Sequence, residues 1–185
     1  MADRPCAGNM LRIAGAVILP NLGGIYNGWL TRQHIQNWYV HLKFPSFKPP
    51  NWVFAPVWTS LYAGMGYGSY LVWRDGGGFG GEAARLPLIA YGTQLALNWA
   101  WSPIFFGQHN IKGGLIDIVA LTATAGLCGV LFYRVNKVAG LLFVPYLAWL
   151  GFATALNYAV WKLNPDKKRA LEEEEKPSGS HAKAN

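Results

Sequence analysis

The sequence predicts an all-α integral membrane protein, a bundle of five transmembrane helices with a lid-like first loop, and three observations carry that prediction. Hydrophobic residues make up 52% of the chain and charged residues only 14%, a balance skewed toward the membrane class. From Asn51 to Trp73 no residue carries a formal charge, and a stretch of that length can cross a hydrocarbon core of about 30 Å as a helix. Trp38, Trp52, Trp58 and Trp73, with Tyr62, Tyr67 and Tyr70, give residues 38–73 more aromatic surface than an interfacial belt alone requires, which assigns some of it to a pocket. The formal charge of +7 does not indicate nucleic acid, because the basic residues are scattered over loops and a tail with no basic helix or recognition motif. Cys6 and Cys128 lie in unrelated segments, so neither a disulfide nor a cysteine metal site is expected, and no cofactor is implied.

Residues 1–9 read as an N-terminal tail. Span one, residues 10–30, lacks the short apolar core and small-residue cleavage site of a secretory signal and reads as retained. Pro20, Gly23 and Gly24 in its middle predict a kink or a thin wall, tolerated in a bilayer where neighbouring helices re-satisfy the backbone. Residues 31–50 form the longest interior polar connection, kept from helix by Pro45, Pro49 and Pro50. With Trp38 and Tyr39 in it, this loop reads equally as a lid or as an interfacial loop anchored at headgroup depth.

Span two covers 51–73. Gly64 and Gly68 put two bare patches on one of its faces, and packing inside the bundle and contact with a second copy both remain open. Residues 74–85 are a glycine-rich, flexible connection without the strand-to-helix context of a phosphate site. Span three covers 86–106. Gln94 and Asn98 share one helix face, where bonding between helices is the commoner role and ligand contact the alternative. Span four covers 114–132 and includes Asp117, placed so near its start that capping is preferred to a functional intramembrane carboxylate. Span five covers 138–161, and residues 163–185, with their charge blocks, read as a disordered polar tail. Lys and Arg number 6 on the side of the N-terminus and 10 on the other, which turns the first loop and the tail toward the cytosol.

Three blocks in order make the chain recognisable: WY-x-x-L-K-x-P-S-F-x-P-P-x-W with P-V-W-x-x-L-Y-x-x-MGYGSYLVW, then QLALNWAWSPIFFG, then PYLAWLGFATALNYAVWK. Over roughly residues 12–162 it resembles the translocator protein family, also called peripheral benzodiazepine receptors and tryptophan-rich sensory proteins, and looks like an animal member. The resemblance implies a five-helix bundle, usually dimeric, that binds cholesterol, porphyrins and benzodiazepine-type or isoquinoline drugs under the first loop. It implies the outer mitochondrial membrane as the location. Positions matching the family pocket are Gly28, Thr31, Trp38, Phe54, Ala55, Trp58, Asn98, Trp101, Trp149, Ala153 and Leu156. Aromatic walls, small residues that leave volume and few polar groups suit a flat apolar ligand. The family's cholesterol motif corresponds to Leu156, Tyr158 and Lys162, although Leu22 with Tyr26 and Arg32, and Val130 with Tyr133 and Lys137, fit the same formula.

Gly113 stands where mammalian members carry a pocket-closing tryptophan, and Phe47 replaces a loop tryptophan, so weakened drug binding is expected. These departures also resemble the second, erythroid-type branch, which resides in endoplasmic reticulum or plasma membrane. Sterol binding and transport is the leading function. A scaffold or regulator of membrane partners is one alternative. Light-dependent porphyrin degradation through Trp58 and Trp149 is another, but the spans hold no nucleophile with a base and no paired carboxylates, so no enzyme is expected. His34, His41 and His109 read as solvated loop histidines.

Overall fold

The structure is a computed structural model and describes residues 4–165. Helix α1 runs Arg4–Ile35, α2 Phe54–Asp75, α3 Glu82–Ser102 and α4 Ile111–Val135. The fifth rod is divided at Leu142 into α5, Lys137–Leu141, and α6, Phe143–Leu163. No strand occurs among the described residues. Helix α1 packs on α2, α2 on α5 and α6, α6 on α4, α4 on α3, and α3 back on α1, so the rods close a ring.

By length and hydropathy alone, α4 and the joined rod Lys137–Leu163 are apolar enough to cross a membrane. Proline, glycine, tyrosine and tryptophan dilute that signal in the others. They nevertheless expose apolar faces, with Ile18, Leu22 and Ile25 on α1 and Leu86 and Ile89 on α3. Ile116, Val119 and Leu127 continue such a face on α4, and an exterior of this kind needs lipid around it.

The helices overrun the apolar stretches. Residues 4–9, read as a tail, belong to α1, with Pro5 in the first turn where a missing N–H costs nothing. At the other end α1 reaches Ile35, so the polar connection is shorter than residues 31–50. Helix α3 starts at Glu82 and α4 at Ile111, each ahead of its apolar stretch. The expected tail lies outside the described residues beyond Pro165. In the 74–85 connection Gly77 and Gly78 adopt φ of 89° and 76° at a single 3-10 turn, Gly78–Gly80.

Prolines set the bends. Each removes the N–H that would bond the carbonyl four residues earlier. Pro145 does this to Leu141, where the fifth rod breaks. Pro103 opens a π turn over Pro103–Gly107 and frees the carbonyl of Trp99, which instead accepts from Asn27 Nδ2 of α1 at 3.2 Å. Pro20, fully buried in α1, frees the carbonyl of Ala16, which lies against Gly66 of α2. The thin wall expected around Gly23 and Gly24 is there: the Trp99 ring nests against Gly23 and the Tyr62 ring against Gly24. Of the two bare patches on α2, Gly68 meets Ala139 of α5, while Gly64 has a single Leu142 methyl at 4.0 Å.

Candidate functional site

The segment between α1 and α2 folds back over one end of the bundle. Leu42 is buried there with Phe105, Phe106, Ile111, Leu156 and Val160. Trp38 meets Phe105 and Phe106 edge-on, at centroid distances of 5.5 and 6.4 Å, and stacks on His109 at 4.5 Å. Tyr39 leans on Phe106, and burial pushes its hydroxyl up to about 12. Asn164, just past α6, accepts from the Lys43 N–H at 3.0 Å and donates to the Lys43 carbonyl at 3.1 Å. Of the two readings of the loop, closure of the bundle's end is the one observed. Asn164→Ala removes both clips, worth roughly 0.5–1.5 kcal/mol each; faster hydrogen exchange at the Lys43 amide, with the helices unaffected, is the expected result.

Beneath the loop lies an aromatic wall. Phe54 and Trp58 on α2 both meet the Trp149 ring of α6 edge-on, at 5.7 and 6.5 Å. Trp58 also approaches Tyr62 and Tyr146, and Phe152 leans on Trp149 at 5.3 Å. On α3, Trp101 stacks on Phe105 at 4.7 Å, and its indole N–H donates to Asn157 Oδ1 at 3.1 Å. Asn157 in turn donates to the carbonyl of Ile111 at 3.0 Å, so α3, α4 and α6 are tied at this level. The π turn after α3 makes this possible, because its extra residue carries Phe105 and Phe106 into the bundle.

Below the wall a hydrogen-bonded chain crosses the interior. Tyr62 of α2 donates to Asn98 Oδ1 of α3, Asn98 donates to the Tyr146 hydroxyl at 2.9 Å, and Tyr146 donates to Gln94 Oε1 at 2.9 Å. Gln94 Nε2 ends the chain against Met65 Sδ at 3.7 Å. Of the two roles left open for Gln94 and Asn98, the bond between helices is the one seen, with both amides at most 5% exposed.

The residues singled out in the sequence fall into three groups. Phe54, Trp58, Trp149 and Ala153 belong to the wall, with Asn98 behind it. Trp38, Trp101 and Leu156 belong to the cluster under the loop. Gly28 and Ala55 are exposed and Thr31 is half-buried. The sterol formula is split: Leu156 points inward at 8% exposed, whereas Tyr158 is 49% exposed and carries Lys162 over its ring at 5.6 Å. The competing match Val130 and Tyr133 lines a groove of about 320 Å³ at the opposite end, beside Gly126, Gly129 and Arg134.

Three expectations change. Asp117 does not cap α4: the helix begins at Ile111, the Asn110 side chain caps it by accepting from the Gly113 N–H at 2.6 Å, and Asp117 lies past the first turn, buried. Gly113 is not simply an open place for a ring, because a Cβ there meets the Asn110 side chain at 2.8 Å. His34 lies in α1 and not in a loop, and both it and the loop residue His109 are half-buried. The extension of α1 carries His34 to within 3.3 Å of His109, which stands at φ 55° in the turn before α4. Residues the sequence argument missed include Phe105 and Phe106, and Tyr146, Asn157 and Asn164, whose hydrogen-bond partners are distant in sequence.

A ring of five apolar rods, an exterior fit for lipid and an aromatic, loop-covered end define a polytopic α-helical membrane protein with a site at one end. The chain belongs to the TspO/MBR family, whose profile matches residues 16–162. It is 47% identical over 150 residues to the translocator protein of Homo sapiens, covering 81% of this chain and 88% of that one. To the translocator protein of Sus scrofa it is 44% identical over 158 residues, 85% and 93% of the two chains. Translocator protein 2 of Canis lupus familiaris is similar at 40% over 147 residues, 79% and 85%. These relatives are named as translocators, not as enzymes, and a general role in membrane transport or sensing follows from the family.

Proposed function

We propose that the protein binds cholesterol, and porphyrins, between the aromatic wall and the first loop, and contributes to their movement within the cell without chemically altering them. The observation that carries this reading is the wall itself. Phe54 and Trp58 of α2 meet Trp149 of α6 ring to ring, and Phe54 also packs with Trp38 and Trp101 in the cluster under the loop. A flat apolar ligand gains from such surfaces, and a buried polar chain below them leaves few competing donors. Benzodiazepine-type drugs are a further ligand class for the same site, weakened because Gly113 supplies no ring. The reading includes a homodimer, with the loop and tail on the cytosolic side of the outer mitochondrial membrane. Endoplasmic reticulum or plasma membrane is the alternative location, suggested by Gly113 and Phe47.

The test is equilibrium binding of cholesterol and of protoporphyrin to the protein in lipid nanodiscs, in the dark. Trp149→Ala is expected to weaken binding about two- to tenfold, the worth of an aromatic contact of roughly 0.5–1.5 kcal/mol. Leu156→Ala should weaken it too, whereas Tyr158→Ser, on the lipid face, should matter less. Gly113→Trp should raise drug affinity only after the Asn110 cap rearranges. No saturable binding of either ligand overturns the reading and leaves a scaffold for partner proteins as the role to examine.

A further inference from the structure

At the end of the bundle away from the loop, α4 and the divided fifth rod leave a groove between them that the sterol or porphyrin site does not use. We propose that it seats an acyl chain of an anionic phospholipid, whose headgroup is held by Arg134 and Lys137. The groove, of about 320 Å³, is lined by Gly126, Gly129 and Val130 of α4 and by Leu141, Val144 and Leu147 of the fifth rod. Its shape follows from where the two rods touch. A Cβ on Gly140 would lie 2.4 Å from Tyr133 Cβ, and one on Gly129 3.0 Å from Phe143 Cβ, so the rods approach closely there. A Cβ on Gly126 would find no atom within 4 Å, and there the groove is open. From Gly126 to Arg134 it runs about 12 Å along α4, at 1.5 Å per residue. Half of a hydrocarbon core of about 30 Å is roughly 15 Å, the depth that one acyl chain occupies.

The lining and the charge beside it select the occupant. Tyr133 and Arg134 supply the only polar side chains of the groove, both near the end of α4, too few for water, which takes about three hydrogen bonds at a buried site. Val130, Leu141 and Val144 are exposed, and α4 and the rod Lys137–Leu163 are each apolar enough to cross a membrane, so lipid is what meets this face. The Tyr133 hydroxyl alone would serve a sterol hydroxyl, but the turn beside it also carries two cations. Among the described residues neither Arg134 nor Lys137 makes an ion pair. The carboxylate that reaches this turn, Asp75, is already engaged: Arg74 Nε stands 2.6 Å from its Oδ1, and Asn136 Nδ2 donates to its Oδ2 at 2.6 Å. A lipid phosphate brings the negative charge that the protein does not supply, and basic pockets between spanning helices bind such headgroups.

The experiment uses the full chain, delipidated in detergent, and counts bound lipid by native mass spectrometry for phosphatidylglycerol and phosphatidylcholine of identical acyl chains and for cholesterol. Phosphatidylglycerol is expected to bind at least about tenfold more tightly than phosphatidylcholine. The double variant Arg134→Gln/Lys137→Gln should bring the two together, each cation being worth about fivefold. Gly126→Leu adds a side chain where there is room and favours the helix; it should weaken both phospholipids and leave cholesterol binding at the loop-covered end unchanged. Arg85→Gln, which removes a cation in the first turn of α3 and off the groove, should bind as wild type does. Equal binding of the two phospholipids, or a preference that survives the double variant or is lost in Arg85→Gln, overturns the proposal. So does a Gly126→Leu protein that still binds phosphatidylglycerol as wild type does; weakened cholesterol binding would then give the groove to sterol, and an altered monomer–dimer ratio would give it to a second copy.

Discussion

Asn98→Leu is expected to destabilise the bundle by about 1–3 kcal/mol, although leucine repeats the branched heavy-atom shape of asparagine. Asn98 joins three helices by accepting from Tyr62 and donating to Tyr146. Leucine leaves the Tyr62 hydroxyl, on a residue only 4% exposed, with no acceptor, while Tyr146 keeps its bond to Gln94. The cost is therefore mainly that of one stranded hydroxyl in a place without water. A double variant, Tyr62→Phe with Asn98→Leu, removes the stranded group as well and should be less destabilised than the two single changes summed. Denaturant titration in bicelles measures all three proteins. Strict additivity would mean that water or another group already serves the Tyr62 hydroxyl.

The same chain of bonds shows what the sequence could and could not disclose. Five helices were legible because hydrocarbon thickness sets a length that apolar composition reveals residue by residue. The helix ends were not, since polar turns can continue a helix past the bilayer, as α1 does to Ile35 and α4 does from Ile111. Gln94 and Asn98 were visible as two amides on one face, but their partner Tyr146 lies 52 and 48 residues away. Asp117 was misjudged for the same reason that the α4 boundary was: a cap is defined by where the helix begins, and Asn110 rather than Asp117 occupies that position. The wall of Phe54, Trp58 and Trp149 entered through resemblance, while the Asn164 clip and the His34–His109 contact join segments 121 and 75 residues apart that no local pattern connects.

Gly66→Ala should be strongly damaging, and Gly64→Ala, one half-turn away, close to neutral. The glycine spacing that stands out in the sequence is Gly64 to Gly68, yet it is the residue between them that meets the backbone of α1. A Cβ on Gly66 would stand 2.4 Å from the Ala16 carbonyl oxygen and 2.9 Å from the Val17 Cα, both backbone atoms of α1. On Gly64 the nearest atom is a Leu142 methyl at 4.0 Å, an ordinary contact. Side chains can rotate away from an added methyl, but backbone cannot move without shifting a whole helix. The carbonyl stands there because Pro20 supplies no N–H for it, so α2 can come close only by presenting a bare Cα, whose hydrogen then faces that oxygen. Overpacking of this kind costs about 1–3 kcal/mol, with the upper part of that range expected here. Thermal unfolding in detergent should separate the two alanine variants clearly. A Gly66→Ala protein as stable as wild type would show that α1 slides freely along α2. Pro20→Ala should then partly relieve Gly66→Ala, because an N–H restored at position 20 draws the Ala16 carbonyl back into its own helix and away from the new methyl.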